Sequence, residues 1–110
     1  MVGTKKGVEE ISEQEILEVL RNSCSVVNFF NEWNMSCLMT ETVIEEMAEK
    51  FIGRINFAKV NVEENYALQK KFNVSRIPTL IVFKNGIEAA RITGQFTEEQ
   101  IEERLEGFLK

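Results

Sequence analysis

Histidine and aspartate are both missing from this 110-residue chain, whose 18 acidic residues are all glutamate. Without them no Ser-His-Asp or Cys-His arrangement can be assembled, which closes off most hydrolytic chemistry. A transition-metal site would have to use two distant cysteines and glutamates, so neither a metal nor a cofactor is expected. No apolar run approaches the roughly 20 residues that cross a bilayer. The 13 basic residues are scattered in a chain of net charge −5. Nucleic acid and membrane surfaces, which need a concentrated basic footprint, are therefore not expected as partners. Two lysines in Met1-Val2-Gly3-Thr4-Lys5-Lys6-Gly7 have no apolar stretch behind them, so no secretory signal is expected and a cytoplasmic location is.

What remains is ordinary for a globular protein: 44% hydrophobic and 28% charged residues. The length suits one domain over residues 1–110, long enough to bury a core without disulfides, and a monomer is expected. Cys24 and Cys37 are not expected to pair. Cys24 opens an apolar strand whose eight extended residues separate its ends by about 25 Å, whereas a disulfide needs Cα atoms within roughly 7 Å. Cys24 reads as a small buried hydrophobe.

Ser12-Glu13-Gln14-Glu15 is a capping box, and Ile16, Leu17 and Leu20 follow at helical spacing, predicting a helix from Ser12 to Asn22. Ser25 to Asn31 reads as a buried strand. Ser36 to Phe51 reads as a longer helix, with Val43, Met47 and Phe51 at four-residue steps inside and Glu41, Glu45, Glu46 and Glu49 outside. Ile55 to Val62 alternates as a strand, and a short helix spans Asn65 to Lys71. Lys84-Asn85-Gly86 between Thr79–Phe83 and Ile87–Ile92 is a strong hairpin signal. Thr97-Glu98-Glu99-Gln100 opens a last helix to Leu109. With a possible first strand at Val8–Ile11, alternating units imply parallel strands, and the hairpin adds an antiparallel one.

Asn34-Met35-Ser36-Cys37 sits at the first strand-to-helix junction, where a Cys-x-x-Cys pair would mark thiol–disulfide chemistry. Phe29, Glu32-Trp33, Cys37, Lys59-Val60-Asn61-Val62, Phe72-Asn73-Val74, Ile77-Pro78-Thr79, Phe83-Lys84-Asn85-Gly86 and Gly94 resemble the thioredoxin family over essentially the full chain. The resemblance implies an α/β thioredoxin fold, a central mixed four- or five-stranded sheet flanked by four helices. It also implies that Pro78, the sole proline, follows a cis peptide bond beside the site, a rare geometry at about 5–6% of X-Pro bonds.

Where the family does chemistry, this chain departs. The nucleophilic cysteine falls on Asn34, the Gly-Pro of the motif on Met35 and Ser36, and the buried proton-relay aspartate on Asn28. A small residue two positions before the cis proline falls on Arg76, and a helix-kinking proline on Thr42, so this helix is expected to run without a kink. Thiol–disulfide exchange needs one thiolate to attack and a second thiol to resolve. Asn34 cannot attack and Asn28 cannot titrate.

Each of these residues also has a purely structural role open to it. Asn34 suits an N-cap, Asn28 a hydrogen-bonded buried amide, Met39 the core, Met35 the surface, and Trp33 the rim of the site. The Cys37 thiol is left between opposing effects: desolvation raises its pKa, while a helix N-terminus and Lys59, which lacks its usual carboxylate neighbour, lower it.

The leading expectation is a domain without dithiol–disulfide oxidoreductase activity. It would bind an extended partner segment in the family's groove, formed by Trp33, Asn34, Met35, Ser36, Ile77, Pro78 and Gly94, with Arg76 favouring an acidic partner. The alternative is a monothiol thiol–disulfide oxidoreductase in cell redox homeostasis that uses Cys37 with glutathione. An iron–sulfur or metal site across a dimer through Cys37 is a weaker third.

Overall fold

The computed structural model describes residues 7–109. Five strands form one mixed sheet: β1 (Val8–Glu10), β2 (Cys24–Phe30), β3 (Asn56–Asn61), β4 (Thr79–Lys84) and β5 (Ile87–Thr93). Their spatial order is β1-β3-β2-β4-β5, with β3 parallel to both β1 and β2 and the last two strands antiparallel. Four α-helices accompany them among the described residues: α1 (Ile16–Leu20), α2 (Met35–Lys50), α3 (Tyr66–Lys71) and α4 (Glu98–Phe108).

Strand periodicity divides the core into two layers. Val26, Phe57, Leu80 and Val82 point to one face and pack with Ile44, Met47 and Ala48 of α2 and Ile101 and Leu105 of α4. Their sequence neighbours Val27, Ala58, Ile81 and Phe83 point to the other, against Ile16 and Val19 of α1 and Leu68 of α3. β2 is central and buried along nearly its whole length, so it reads as a continuous apolar run rather than an alternating one.

Local chemistry sets the boundaries. The Asn85-Gly86 turn has φ of 53° and 83°, the paired left-handed conformation that suits the twist of a two-residue hairpin loop. At α4 the Thr97 hydroxyl accepts from the Gln100 N–H (3.1 Å) while the Gln100 side chain accepts from the Thr97 N–H (2.9 Å). The first helix is shorter than the Ser12–Asn22 expectation. Glu13–Glu15 form a 3-10 turn, only Ile16–Leu20 are α-helical, and the Asn22 amide donates to the Val19 carbonyl (3.0 Å), closing the helix early.

In α2 the core-facing positions are Cys37, Thr40, Ile44, Met47 and Ala48. The expected four-residue stripe drifts by about 40° per step around a helix of 3.6 residues per turn. Val43 is therefore only half-buried, and Met39, expected in the core, is 61% exposed. Of the four glutamates expected to face water, Glu46 and Glu49 are exposed, whereas Glu41 and Glu45 are half-buried. The helix runs unbroken past Thr42.

Candidate active-site groove

The site lies at one end of the sheet because register places it there. Phe29 near the end of β2 pairs with Thr79 at the start of β4, and Thr79 pairs with Thr93 at the end of β5. The β2–α2 loop, the Arg76-Ile77-Pro78 segment and Gly94 therefore share that end.

In the loop, the Asn31 side chain accepts from the Trp33 N–H (2.9 Å), a local Asx turn that shapes the approach to the helix. Trp33 itself is 81% exposed. Asn34 has extended backbone (φ −94°, ψ 120°), and its Oδ1 accepts from the Cys37 N–H at 3.0 Å. Asn34 is thus the N-cap of α2, satisfying a donor that the first helical turn leaves unpaired.

Met35, Leu38 and Met39 are exposed on the turns that follow, while Cys37 points inward and is 4% exposed. The Thr40 hydroxyl donates back to the Ser36 and Cys37 carbonyls. Burial pushes the Cys37 thiol above its ordinary pKa, and a backbone hydrogen bond from Asn31 offsets this only in part. The opposing effects left open by the sequence thus resolve upward. Lys59 is not among the groups that shift it; its ammonium pairs with Glu41 (3.3 Å) and lies over the Phe30 ring. Both cysteines are free and buried.

Beneath Cys37, Asn28 is 3% exposed. Its Oδ1 has no hydrogen-bond partner among the described residues, so the hydrogen-bonded state expected for this amide is not what the structure contains. An orphan of this kind costs about 1–3 kcal/mol. Asn28, Phe30, Asn31, Glu32, Cys37, Leu38, Glu41, Lys59 and Glu10 line a cavity of about 260 Å³.

Across the groove the Ile77–Pro78 bond is cis, Pro78 is buried, and Ile77 is half-buried. The Pro78 carbonyl accepts from the Gly94 N–H (2.8 Å). Neither the N–H nor the C=O of Ile77 makes a hydrogen bond among the described residues. Gly94 has φ +84°, where a side chain is strained, and the Arg76 guanidinium lies 4.0 Å from the point a Cβ would occupy. Arg76 is exposed and makes no ion pair among the described residues.

The residues expected to form a groove thus lie at one end of the sheet, with Asn28 and Lys59 in the strands below. Sequence reasoning missed two partners. Glu41 follows Cys37 by four residues and therefore shares its side of α2, the one signal available for it. The Gln95 amide donates to Met39 Sδ (3.2 Å), a link between distant segments that no local pattern announces. Among the described residues no three His, Cys, Asp or Glu side chains are grouped to hold a metal, and no helix is long and apolar enough to cross a membrane.

An α/β sheet with a helix N-terminus facing a cis-proline segment defines the class of thioredoxin-fold proteins. The Thioredoxin family model matches residues 7–107. The chain is 31% identical over 102 residues to the thioredoxin of Staphylococcus saprophyticus, covering 93% of this chain and 98% of that one. It is 36% identical over 85 residues to the thioredoxin of Alicyclobacillus acidocaldarius, covering 77% and 81% respectively. A solved structure, that of a mutant thioredoxin from Halobacterium salinarum, superposes with a TM-score of 0.88 at 25% identity, covering 100% of this chain and 97% of that one. The chain belongs to the thioredoxin family.

Proposed function

We propose that this chain is a cytoplasmic, monomeric thioredoxin-fold domain that binds an extended segment of a partner protein and does not turn over dithiol–disulfide exchange. The observation that carries this reading is the hydrogen bond from the Cys37 N–H to Asn34 Oδ1. At the position where the exchange reaction needs an attacking thiolate, the side chain is an amide engaged in capping the helix. The remaining thiol is buried and held protonated by that burial.

The binding half of the proposal rests on the other wall. The unpaired N–H and C=O of Ile77 are what an added strand would use, in the manner of β-strand addition. Exposed Trp33, Met35 and Met39 offer apolar contact, with methionine suited to irregular surfaces. Arg76, without an ion-pair partner, selects a segment with a carboxylate near the residue that pairs with Ile77.

Insulin reduction driven by dithiothreitol tests the proposal. The expected rate is that of dithiothreitol alone, and turnover comparable to an intact thioredoxin overturns it.

A second reading, monothiol exchange, is favoured by one fact: Cys37 lines a cavity rather than packed core. In that reaction the Cys37 thiolate attacks oxidised glutathione, forms a mixed disulfide and releases one glutathione thiolate. Burial predicts that alkylation of Cys37 rises only above the pH at which a free cysteine ionises, about 8.5. Rapid glutathionylation at pH 7, read by mass, would instead favour this second reading.

A further inference from the structure

The cavity beneath Cys37 has a floor that the register makes explicit. Glu10 of β1 pairs with Lys59 of β3, and Lys59 pairs with Asn28 of β2. The three form a row across adjacent strands. Each lies two residues beyond Val8, Phe57 or Val26, whose side chains face α2, so the row faces α2 as well. Cys37, Leu38 and Glu41 of α2 form the opposite wall, with Phe30 and Glu32 at the side.

Two features of this cavity are left over from the fold and point the same way. The first is Asn28, almost completely buried, with an amide oxygen that accepts no hydrogen bond. Rotation about an asparagine χ2 is soft, so the oxygen turns toward a donor placed in the cavity. The second is charge. Glu41 is paired with Lys59, which leaves Glu10 and Glu32 uncompensated among the lining residues. Both sit exposed at the mouth. An orphan acceptor at the floor and two free carboxylates at the rim ask for a cation rich in N–H donors. The Leu38 side chain, with the part of the Phe30 ring not covered by the Lys59 ammonium, offers hydrocarbon. At about 30 Å³ per water, a volume of about 260 Å³ corresponds to about nine waters, room for a short alkylammonium ion and some of its hydration.

We infer that this cavity binds a primary alkylammonium group, its N–H donors shared between Asn28 Oδ1 and the carboxylates of Glu10 and Glu32, its chain against Phe30 and Leu38. A free amine and a lysine side chain of a partner present the same group. The inference does not depend on the loss of disulfide exchange, since neither Asn34 nor the Cys37 thiolate takes part.

The test is an NMR titration with n-butylammonium chloride, following the Asn28 side-chain amide and the Cys37 backbone amide. Butyramide and sodium butyrate at matched ionic strength are the controls. Saturable shifts with the ammonium alone are expected, weakened several-fold in Glu10→Gln and lost in Asn28→Leu. Because Glu10 is exposed, Glu10→Gln keeps the test valid even if Asn28→Leu misfolds. Absence of saturation, an equal response to butyramide, or binding unchanged in Glu10→Gln overturns the inference.

A second arm uses an extended peptide with one lysine and its norleucine counterpart. Tighter binding of the lysine peptide than of n-butylammonium assigns the group to a partner's side chain, and equal binding assigns it to a small amine. Equal binding of the two peptides, with n-butylammonium still saturating, likewise assigns the group to a small amine.

Discussion

Met39 and Met47 are the same residue type on one helix, yet one is 61% exposed and the other 1%. Met47 sits against the sheet with Ile44 and Ala48, in the layer that joins α2 to α4. Met39 lies near the N-terminal end, beside exposed Met35 and Leu38, and touches the rest of the molecule through the Gln95 amide. The C-terminal half of α2 is held by packing. The N-terminal half buries Cys37 and Thr40, is held by a cap and side-chain hydrogen bonds, and leaves Met35, Leu38 and Met39 to solvent. A fold needs the first arrangement; an apolar face left open beside unpaired backbone is what a binding surface needs.

Alanine at each methionine separates the two roles most sharply. Met47→Ala should cost about 2–5 kcal/mol in urea unfolding, the range for truncating a large buried aliphatic side chain. Met39→Ala should stay within about 0.5 kcal/mol of the parent and instead weaken capture of the partner segment. Comparable losses of stability at both sites would erase the distinction between the halves.

Asn34 is the next largest test, because it holds the N-terminal half by a cap rather than by packing. Asn34→Ala should lose about 0.5–2 kcal/mol, readable as a lower urea midpoint at constant slope. Asn34→Cys should lose a similar amount and restore the Cys-x-x-Cys spacing, yet reduce insulin well below the rate of an intact thioredoxin. The burial that raises the Cys37 pKa in the parent is expected to persist, and Asn28 still offers no titratable group. Full rescue would mean that Asn34 alone silences the site.

How much of this was legible in the sequence follows from the range over which each signal acts. The Asn85-Gly86 turn, the Thr97–Gln100 box and the cap at Asn34 are contacts within a few residues, and each was readable. Strand and helix alternation with one hairpin foretold a mixed sheet, but neither its order, β1-β3-β2-β4-β5, nor the antiparallel pairing with β2 of β4, which follows α3. Met39 was misread because a four-residue stripe drifts around a helix, and only packing tells which phase meets the sheet. The partner of Lys59 was also hidden. The residue aligned with its usual neighbour is uncharged Asn28, and the carboxylate that replaces it, Glu41, comes from another element. The orphan oxygen of Asn28 had no signal at all, since an absence of partners in three dimensions leaves no pattern along the chain.

That orphan supplies a smaller test on the packed side. Asn28→Leu removes an unsatisfied polar group and fills part of the cavity, so its urea midpoint should equal or exceed that of the parent. A loss of more than about 1 kcal/mol would show that the Asn28 amide is satisfied in solution.

The smallest effect expected comes from Arg91, which ties the edge strand β5 to the end of α3. Its guanidinium donates to both Glu88 carboxylate oxygens (2.8 Å each) and to the Phe72 and Asn73 carbonyls (2.7 and 3.0 Å). The hydrogen bonds from Arg91 hold the Glu88 carboxyl below the usual carboxylate range. A pKa lowered by folding means that the unfolded chain binds the proton more readily. The contribution of Glu88 is therefore complete above its unfolded pKa, about 4.3, and disappears as pH falls through the lower folded value. The pair is partly exposed, so the amount is at most about 1 kcal/mol. Thermal midpoints measured from pH 7 down to pH 3 should fall less steeply in Glu88→Gln than in the parent. Identical slopes would mean that the Phe72 and Asn73 carbonyls, not the carboxylate, hold Arg91 in place.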